Sequence, residues 1–178
     1  MVFMKTKLNV TKIILISLAA ILILCFFVYC SKSLEMKQLD CIAVDEQTGH
    51  IAIAYYTTAA KVDVFDSKGN LMFSKVYDTP GKGIHDMLWK DGQLYLKMGK
   101  NTVLVDSEGN IVANDPNIEF PIIWFDDWEK DGGSYKKYIN GVEYRYDKAN
   151  FFEYFANPVD RIYIKDGESE KCIWDSAY

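Results

Sequence analysis

The sequence predicts an antiparallel all-β domain preceded by one transmembrane α-helix, and three observations support this prediction. A run without a charged residue extends from Ile13 to Ser31. Past Leu39, apolar and polar residues alternate in short runs, which is the period of a half-buried strand. Turn signals that contain glycine separate these runs. We therefore expect a short stalk at residues 32–38 and a β-domain at residues 39–178.

The uncharged run, residues 13–31, is long enough to cross a bilayer, because a helix rises about 1.5 Å per residue. Its end is bulky between Phe26 and Cys30, whereas a secretory signal is shorter and ends in small residues. An uncleaved anchor is therefore favoured over a signal cleaved near Ser31. Basic flanks stay in the cytoplasm, which places residues 1–12 inside and residues 39–178 outside the cell membrane. The basic residues of this flank are Lys5, Lys7 and Lys12.

The composition excludes several classes of protein. Apolar residues make up 49% of the chain, which excludes a disordered protein. The chain has 25 acidic and 20 basic residues, and the acidic residues all follow the uncharged run. An acidic domain repels a phosphate backbone, so nucleic acid is not an expected partner.

One strand–turn–strand motif occurs twice. The segment VFDSKGNLMFS begins at Val64, and VLVDSEGNIVA begins at Val103. Each copy closes a unit with four predicted strands in roughly forty residues, which is the period of a propeller blade. A third unit, residues 118–174, is longer and less regular. The repetition therefore predicts about three units that are built to stack on one another.

The two regular units resemble the blades of NHL-type β-propellers. The similarity rests on IAVDEQTGHIAIAYYTTAAKVDVFDSKGNLMFS and PGKGIHDMLWKDGQLYLKMGKNTVLVDSEGNIV. The repeats of that family run Pro-x-Gly-Ile, a strand, Asp-x-x-Gly, a strand and a closing Asp-x-x-Gly turn, and both segments carry the closing turn. The resemblance implies propeller-blade-like units, but about six blades close such a ring. Two chains could form one ring as a homodimer, or the third unit could cover the exposed faces itself.

The best candidate for a binding surface is IIWFDDWEKDGG at residues 122–133, because aromatic rings stack on sugars and carboxylates accept their hydroxyl protons. The spacing of a calcium loop is absent, and we expect no metal and no cofactor. The candidate residues are Trp124, Asp126, Asp127, Trp128, Glu129 and Asp131, and the alternative for this segment is a structural turn with a core tryptophan. We expect a non-catalytic binding or assembly module for a protein or saccharide. The alternatives are a glycoside hydrolase that uses Trp124–Asp131 and a propeller remnant without function.

Two cysteines of the predicted β-domain lie in its first and last strand-like runs. Outside the cytoplasm Cys41 and Cys172 could form a disulfide that ties the start of the domain to its end. The alternative is two unpaired thiols, since the sequence does not give the distance between them.

Overall fold

The computed structural model of the chain falls into two units, Met1–Met36 and Lys37–Tyr178. In the first unit, residues 12–26 form helix α1, whose side chains are exposed. Among the residues that the structure describes, no helix is long and apolar enough to cross a membrane. Residues 27–31 of the predicted span and residues 32–36 of the predicted stalk lie outside the described residues. The structure describes residues 12–26, 37–79, 83–114, 117–120, 125, 127–149 and 159–177.

The second unit is built from antiparallel strands in three sheets, each with its strands in chain order. This confirms the predicted all-β class. The first sheet contains β1 (Gln38–Val44), β2 (Ile51–Tyr56), β3 (Ala60–Phe65) and β4 (Leu71–Tyr77). The second sheet contains β5 (Asp86–Lys90), β6 (Gln93–Met98), β7 (Asn101–Val105) and β8 (Ile111–Asn114). The third sheet contains β9 (Glu129–Asp131), β10 (Ser134–Ile139), β11 (Val142–Asp147), β12 (Arg161–Asp166) and β13 (Ser169–Asp175).

The repeated Asp-x-x-Gly-Asn motif forms the same turn in the first two sheets. Asp66 accepts hydrogen bonds from Asn70 N at 2.8 Å and from Asn70 Nδ2 at 2.9 Å. Asp106 accepts the corresponding bonds from Asn110 at 2.8 and 3.1 Å. The glycine before each asparagine has a φ of 74° in the first copy and 78° in the second, which residues with a Cβ rarely adopt. The motif therefore forms the turn that joins the last two strands in each of the first two sheets.

The first sheet lies between the other two. In β2, the side chains of Ala52 and Ala54 belong to a core shared with the second sheet, whereas those of Ile51 and Ile53 belong to a core shared with the third sheet. Successive side chains of a strand point to opposite faces, so both faces of this sheet are covered. The strand is apolar throughout for that reason, as expected of a sheet buried on both sides.

The third sheet packs on the first through the turn at Gly69. A Cβ atom added to Gly69 would lie 2.7 Å from Ile173 Cγ2 of β13, and Lys171 Nζ donates a hydrogen bond to Gly69 O at 2.6 Å. The last strand of the third sheet thus lies on the turn of the first.

The first sheet packs on the second in the same way. A Cβ atom added to Gly109 would lie 2.7 Å from Phe73 Cε2 of β4, and the Tyr77 hydroxyl donates to Gly109 O at 2.7 Å. The last strand of one sheet therefore contacts the Asp-x-x-Gly-Asn turn of the next at both interfaces. The spatial order is third, first, second, although the chain order is first, second, third.

The outer face of the third sheet is charged. Arg145 Nη1 lies 2.9 Å from Glu170 Oε2, and Arg145 Nε lies 3.1 Å from Asp147 Oδ1. The Tyr163 ring covers the same guanidinium at 4.5 Å. Terminal repeats of stacked proteins carry such a polar outer face, so this sheet ends the stack on one side.

The outer face of the second sheet is partly covered within the chain, whereas the side chains of β8 are exposed. Tyr95 points away from the first sheet and is only 8% exposed. On the same face, Lys97 Nζ lies 5.4 Å from the centre of the Phe120 ring. The packing thus favours the alternative in which the start of the third unit covers exposed sheet faces, and the homodimeric ring stays a prediction.

Candidate functional site

A cleft of about 540 Å³ opens where the three sheets meet. Its walls are β1 with the turn that follows it (residues 42–47), β5 with its turn (residues 86–89 and 91), and Asp127, Trp128 and Lys137 of the third unit. Ligand clefts in proteins are commonly of this size, and they occur where layers of structure meet. This cleft is therefore the candidate functional site.

Two walls of the cleft are strand edges. β1 and β5 are each the first strand of their sheet, and among the strands that the structure describes each has a partner on one side only. β1 pairs with β2, and β5 pairs with β6. An edge strand leaves alternate backbone N–H and C=O groups without a partner in the sheet. The cleft therefore offers backbone donors and acceptors along two of its walls, apart from Met87 N of β5, which donates to the Asp86 carboxylate.

One ammonium group links two walls of the cleft. Lys137 Nζ lies 3.0 Å from Glu46 Oε1 and also forms an ion pair with Asp127. The Lys137 side chain is only 13% exposed. Burial lowers the pKa of this ammonium, but the hydrogen bonds to Asp127 and Glu46 outweigh it and hold the pKa above its ordinary value. Lys137 is therefore charged at neutral pH, and it joins the turn after β1 to the third unit.

The carboxylates of the cleft differ in the hydrogen bonds that they accept. Asp45 is 4% exposed and accepts hydrogen bonds from Gln47 N at 3.1 Å and Thr48 Oγ1 at 2.5 Å, so it closes the turn after β1. Asp86 accepts one bond from Met87 N at 2.9 Å. Burial raises the pKa of Asp86. Asp45 is thus structural, whereas Asp86 retains an oxygen for a ligand.

Asp91 lies at the opposite end of β5 from Asp86, in the turn before β6. Its φ of 51° is in the left-handed region that aspartate tolerates better than most residues. Among the described residues, neither Asp86 nor Asp91 forms an ion pair within 4.0 Å. The β5 side of the cleft therefore carries two carboxylates without a bound cation.

Two tryptophans complete the walls. Trp128 is 8% exposed, and its ring meets that of Phe125 edge-on at 5.2 Å, so it is held rigidly by the core of the third sheet. Trp89 of β5 meets the His50 ring edge-on at 6.0 Å. Aromatic rings held by packing give a ligand a fixed apolar surface at little cost in conformational entropy.

The predicted site segment contributes only part of this cleft. Asp127 and Trp128 line the cleft, whereas Trp124 and Asp126 lie outside the described residues. Glu129 and Asp131 lie on β9 with exposed side chains and do not line the cleft. Asp131 instead pairs with Lys136 at 2.7 Å. The structure therefore brings two of the predicted residues to the site.

The sequence analysis missed the walls formed by the first two sheets. The missing residues include Asp86, Trp89 and Asp91 of the second sheet, and Glu46 of the first. A signal was present, because the first strand of each regular unit ends in an Asp-containing turn. Two equivalent turns in stacked units lie at the same end of the stack, so their acidic residues can converge.

The two cysteines considered as a disulfide are both free thiols in the structure. Cys41 is fully buried between the first two sheets, and its thiol donates to Ile84 O at 3.6 Å. Burial raises the pKa of this thiol. Cys172 is exposed on β13 of the third sheet. No bond joins them because Cys41 faces the second sheet, on the side of the first sheet away from the third.

No family model matches the chain, and no curated protein matches its sequence. Within the part of the chain that the structure describes, no group of three or more His, Cys, Asp or Glu side chains could hold a metal ion. The resemblance to NHL-type propeller blades stays a prediction.

Proposed function

We propose that the chain is a membrane-anchored, extracytoplasmic and non-catalytic binding module that takes a protein or saccharide partner in the cleft between its three sheets. The observation that supports this proposal is the cleft itself. It combines two strand edges, two tryptophans and several carboxylates at the junction of rigid sheets. Such a mixture of apolar surface and a few oriented polar groups is typical of binding sites.

The hydrolase hypothesis has weaker support. A glycosidase needs one carboxylic acid with a raised pKa beside a second carboxylate. In the predicted segment, Asp127 is bound by Lys137. The hydrogen bond from Lys136 lowers the pKa of Asp131. The Asp131 carboxylate is therefore held in its charged form, which suits binding better than proton donation.

The anchor part of the proposal rests on residues 13–31. Helix α1 covers residues 12–26 and is built almost entirely from apolar residues with exposed side chains. An apolar helix surface is stable in contact with lipid, and the lysines before it favour a cytoplasmic N-terminus.

The binding proposal is tested with the full chain in detergent micelles, by titration calorimetry against a panel of neutral and amino oligosaccharides and of basic and acidic peptides. We expect saturable binding of at least one panel member, and weaker binding to Asp91→Asn. The matched control is Glu168→Gln, which removes an exposed carboxylate outside the cleft. Absence of binding, or an equal effect of both substitutions, would contradict the proposal.

The topology is tested with the one exposed cysteine of the β-domain, Cys172. In a chain in which Cys25 and Cys30 are replaced by serine, a membrane-impermeant maleimide should label Cys172 on intact cells. Cys41 is buried and should stay unlabelled. The variant Cys172→Ser is the control. Labelling that requires prior permeabilisation of the cells would show that the domain is not outside.

A further inference from the structure

We infer that the cleft binds an extended basic segment of a protein partner, with lysine or arginine side chains directed at its carboxylates. This inference rests on the proposed function, because it takes the cleft as the binding site. Two independent properties of the cleft support it: the strand edges in its walls and the sign of its charge.

The strand edges favour a peptide over a saccharide. β1 and β5 both line the cleft with consecutive residues, and among the described strands each is paired on one side only. An extended peptide can add to such an edge through main-chain hydrogen bonds, whereas a saccharide has no matching alternation of donors and acceptors. Side chains of the added strand would then point alternately to two walls of the cleft.

The charge of the cleft favours a cationic ligand. Its described lining holds five carboxylates and one ammonium group. The carboxylates belong to Asp45, Glu46, Asp86, Asp91 and Asp127. The ammonium of Lys137 forms ion pairs with Glu46 and Asp127. Asp86 and Asp91, at the two ends of β5, are then the carboxylates that can pair with a ligand. A ligand with basic side chains would neutralise this side of the cleft.

Lys137 shows how the cleft holds a basic side chain. Its ammonium lies between two carboxylates from different parts of the chain, and its side chain is 13% exposed. On the opposite wall, Trp89 follows Asp86 by three positions in β5 and precedes Asp91 by two. A lysine or arginine of the ligand placed beside Asp91 would have one carboxylate and an aromatic ring near its charge, and cations bind to such rings.

The test uses the full chain in detergent micelles and titration calorimetry with an acetylated and amidated peptide, Lys-Thr-Arg-Thr-Lys. In an extended strand its three basic side chains lie on one face. We expect saturable binding that weakens as salt is raised, since salt screens exposed charges. The peptide Gln-Thr-Gln-Thr-Gln should bind far more weakly. A third peptide with the basic sequence and N-methyl groups on both threonines tests the strand edge, and it should also lose binding.

Substitutions in the cleft assign the binding to its carboxylates. The double variant Asp86→Asn and Asp91→Asn, which changes the two carboxylates that Lys137 leaves free, should weaken binding of the basic peptide about tenfold. The control with the same change of net charge is Glu129→Gln with Glu168→Gln, whose exposed carboxylates lie outside the cleft. The variant Lys137→Gln should tighten binding about threefold, because it releases Glu46 and Asp127. A misfolded variant would not give this gain.

The outcomes separate the two proposals. If an oligomer of glucosamine binds in the cleft and the basic peptide does not, the inference of a peptide ligand fails and the proposed binding function stands. If the glutamine or N-methylated peptide binds as well as the basic peptide, the inference also fails. If no probe binds, or binding is insensitive to Asp86→Asn with Asp91→Asn, both proposals fail together.

Discussion

The first and third sheets share one antiparallel plan but differ in how many faces they bury. β2 of the first sheet is apolar at every position, because Ile53 packs against the third sheet and Ala54 against the second. β11 of the third sheet alternates, with Tyr144 buried and Arg145 in a charged network on the outer face. The number of buried faces of a sheet, rather than the order of its strands, therefore determines whether its strands are apolar throughout or alternate between apolar and polar residues.

The largest expected effect comes from weakening the doubly covered sheet. Ile53→Ala removes a fully buried side chain between the first and third sheets, and we expect a loss of about 2–5 kcal/mol in the free energy of unfolding. The control Ile111→Ala changes a side chain that is 49% exposed on β8, and it should cost no more than about 0.5 kcal/mol. Urea titration of both variants measures the difference. Equal losses would show that the first sheet is not a central layer.

The glycine turns before the last strand of the second and third sheets differ in whether another sheet packs on them. Gly109→Ala forces a Cβ into the left-handed region and within 2.7 Å of Phe73, which should cost about 2–4 kcal/mol. Gly167, in the turn between β12 and β13, has a φ of 57° and no atom within 4 Å of an added Cβ. Gly167→Ala should therefore cost only the backbone strain, about 1 kcal/mol.

The difference between these two glycine variants isolates the contact between sheets, because both share the strained backbone. It is measured as a difference in unfolding free energy by urea titration. If Gly167→Ala costs as much as Gly109→Ala, another part of the molecule contacts the turn of the third sheet, and that sheet does not end the stack.

A smaller effect is expected from one hydrogen bond between the first and third sheets. The Tyr144 hydroxyl donates to Gly49 O at 2.6 Å, and burial raises the pKa of Tyr144 to about 12. Tyr144→Phe leaves that carbonyl without its donor and should lower the unfolding free energy by about 1 kcal/mol. On the outer face, Tyr138 donates to Glu143 in solvent, so Tyr138→Phe should have almost no effect. A large effect of Tyr138→Phe would contradict the assignment of that face to solvent.

The sequence predicted the local part of this fold. The turns at Asp66 and Asp106 follow from hydrogen bonds within five residues, so their sequence alone specifies them. The order of the sheets does not follow in this way, since it depends on contacts such as Lys171 to Gly69, which are 102 residues apart. The cleft was only partly predicted for the same reason. Asp127 and Trp128 lie in one conspicuous segment, whereas Trp89 joins them through the stacking of the sheets.

The smallest expected effect concerns the turn that the first two sheets share and the third lacks. Hydrogen bonds from the backbone and side chain of Asn110 hold the pKa of Asp106 below its ordinary value of 3.8. Burial raises the pKa of Asp66, but the hydrogen bonds from Asn70 outweigh it and keep that pKa below 3.8 as well. When a folded carboxylate has a lowered pKa, its contribution to stability is full above the unfolded pKa and is lost as the pH falls through the folded pKa.

The unfolding free energy should therefore fall between about pH 5 and pH 2, and the fall should be shallower in Asp106→Asn, whose side chain does not titrate. Glu108→Gln in the same turn is the control, because it removes an exposed carboxylate that accepts only one long hydrogen bond, from Asn110 Nδ2 at 3.4 Å. Thermal unfolding at a series of pH values measures the slope. If Asp106→Asn and Glu108→Gln have equal slopes, the turn carboxylate does not contribute to stability through its charge. The repeated motif would then act through the φ of its glycine alone, and the difference between the first two sheets and the third would be one of backbone conformation.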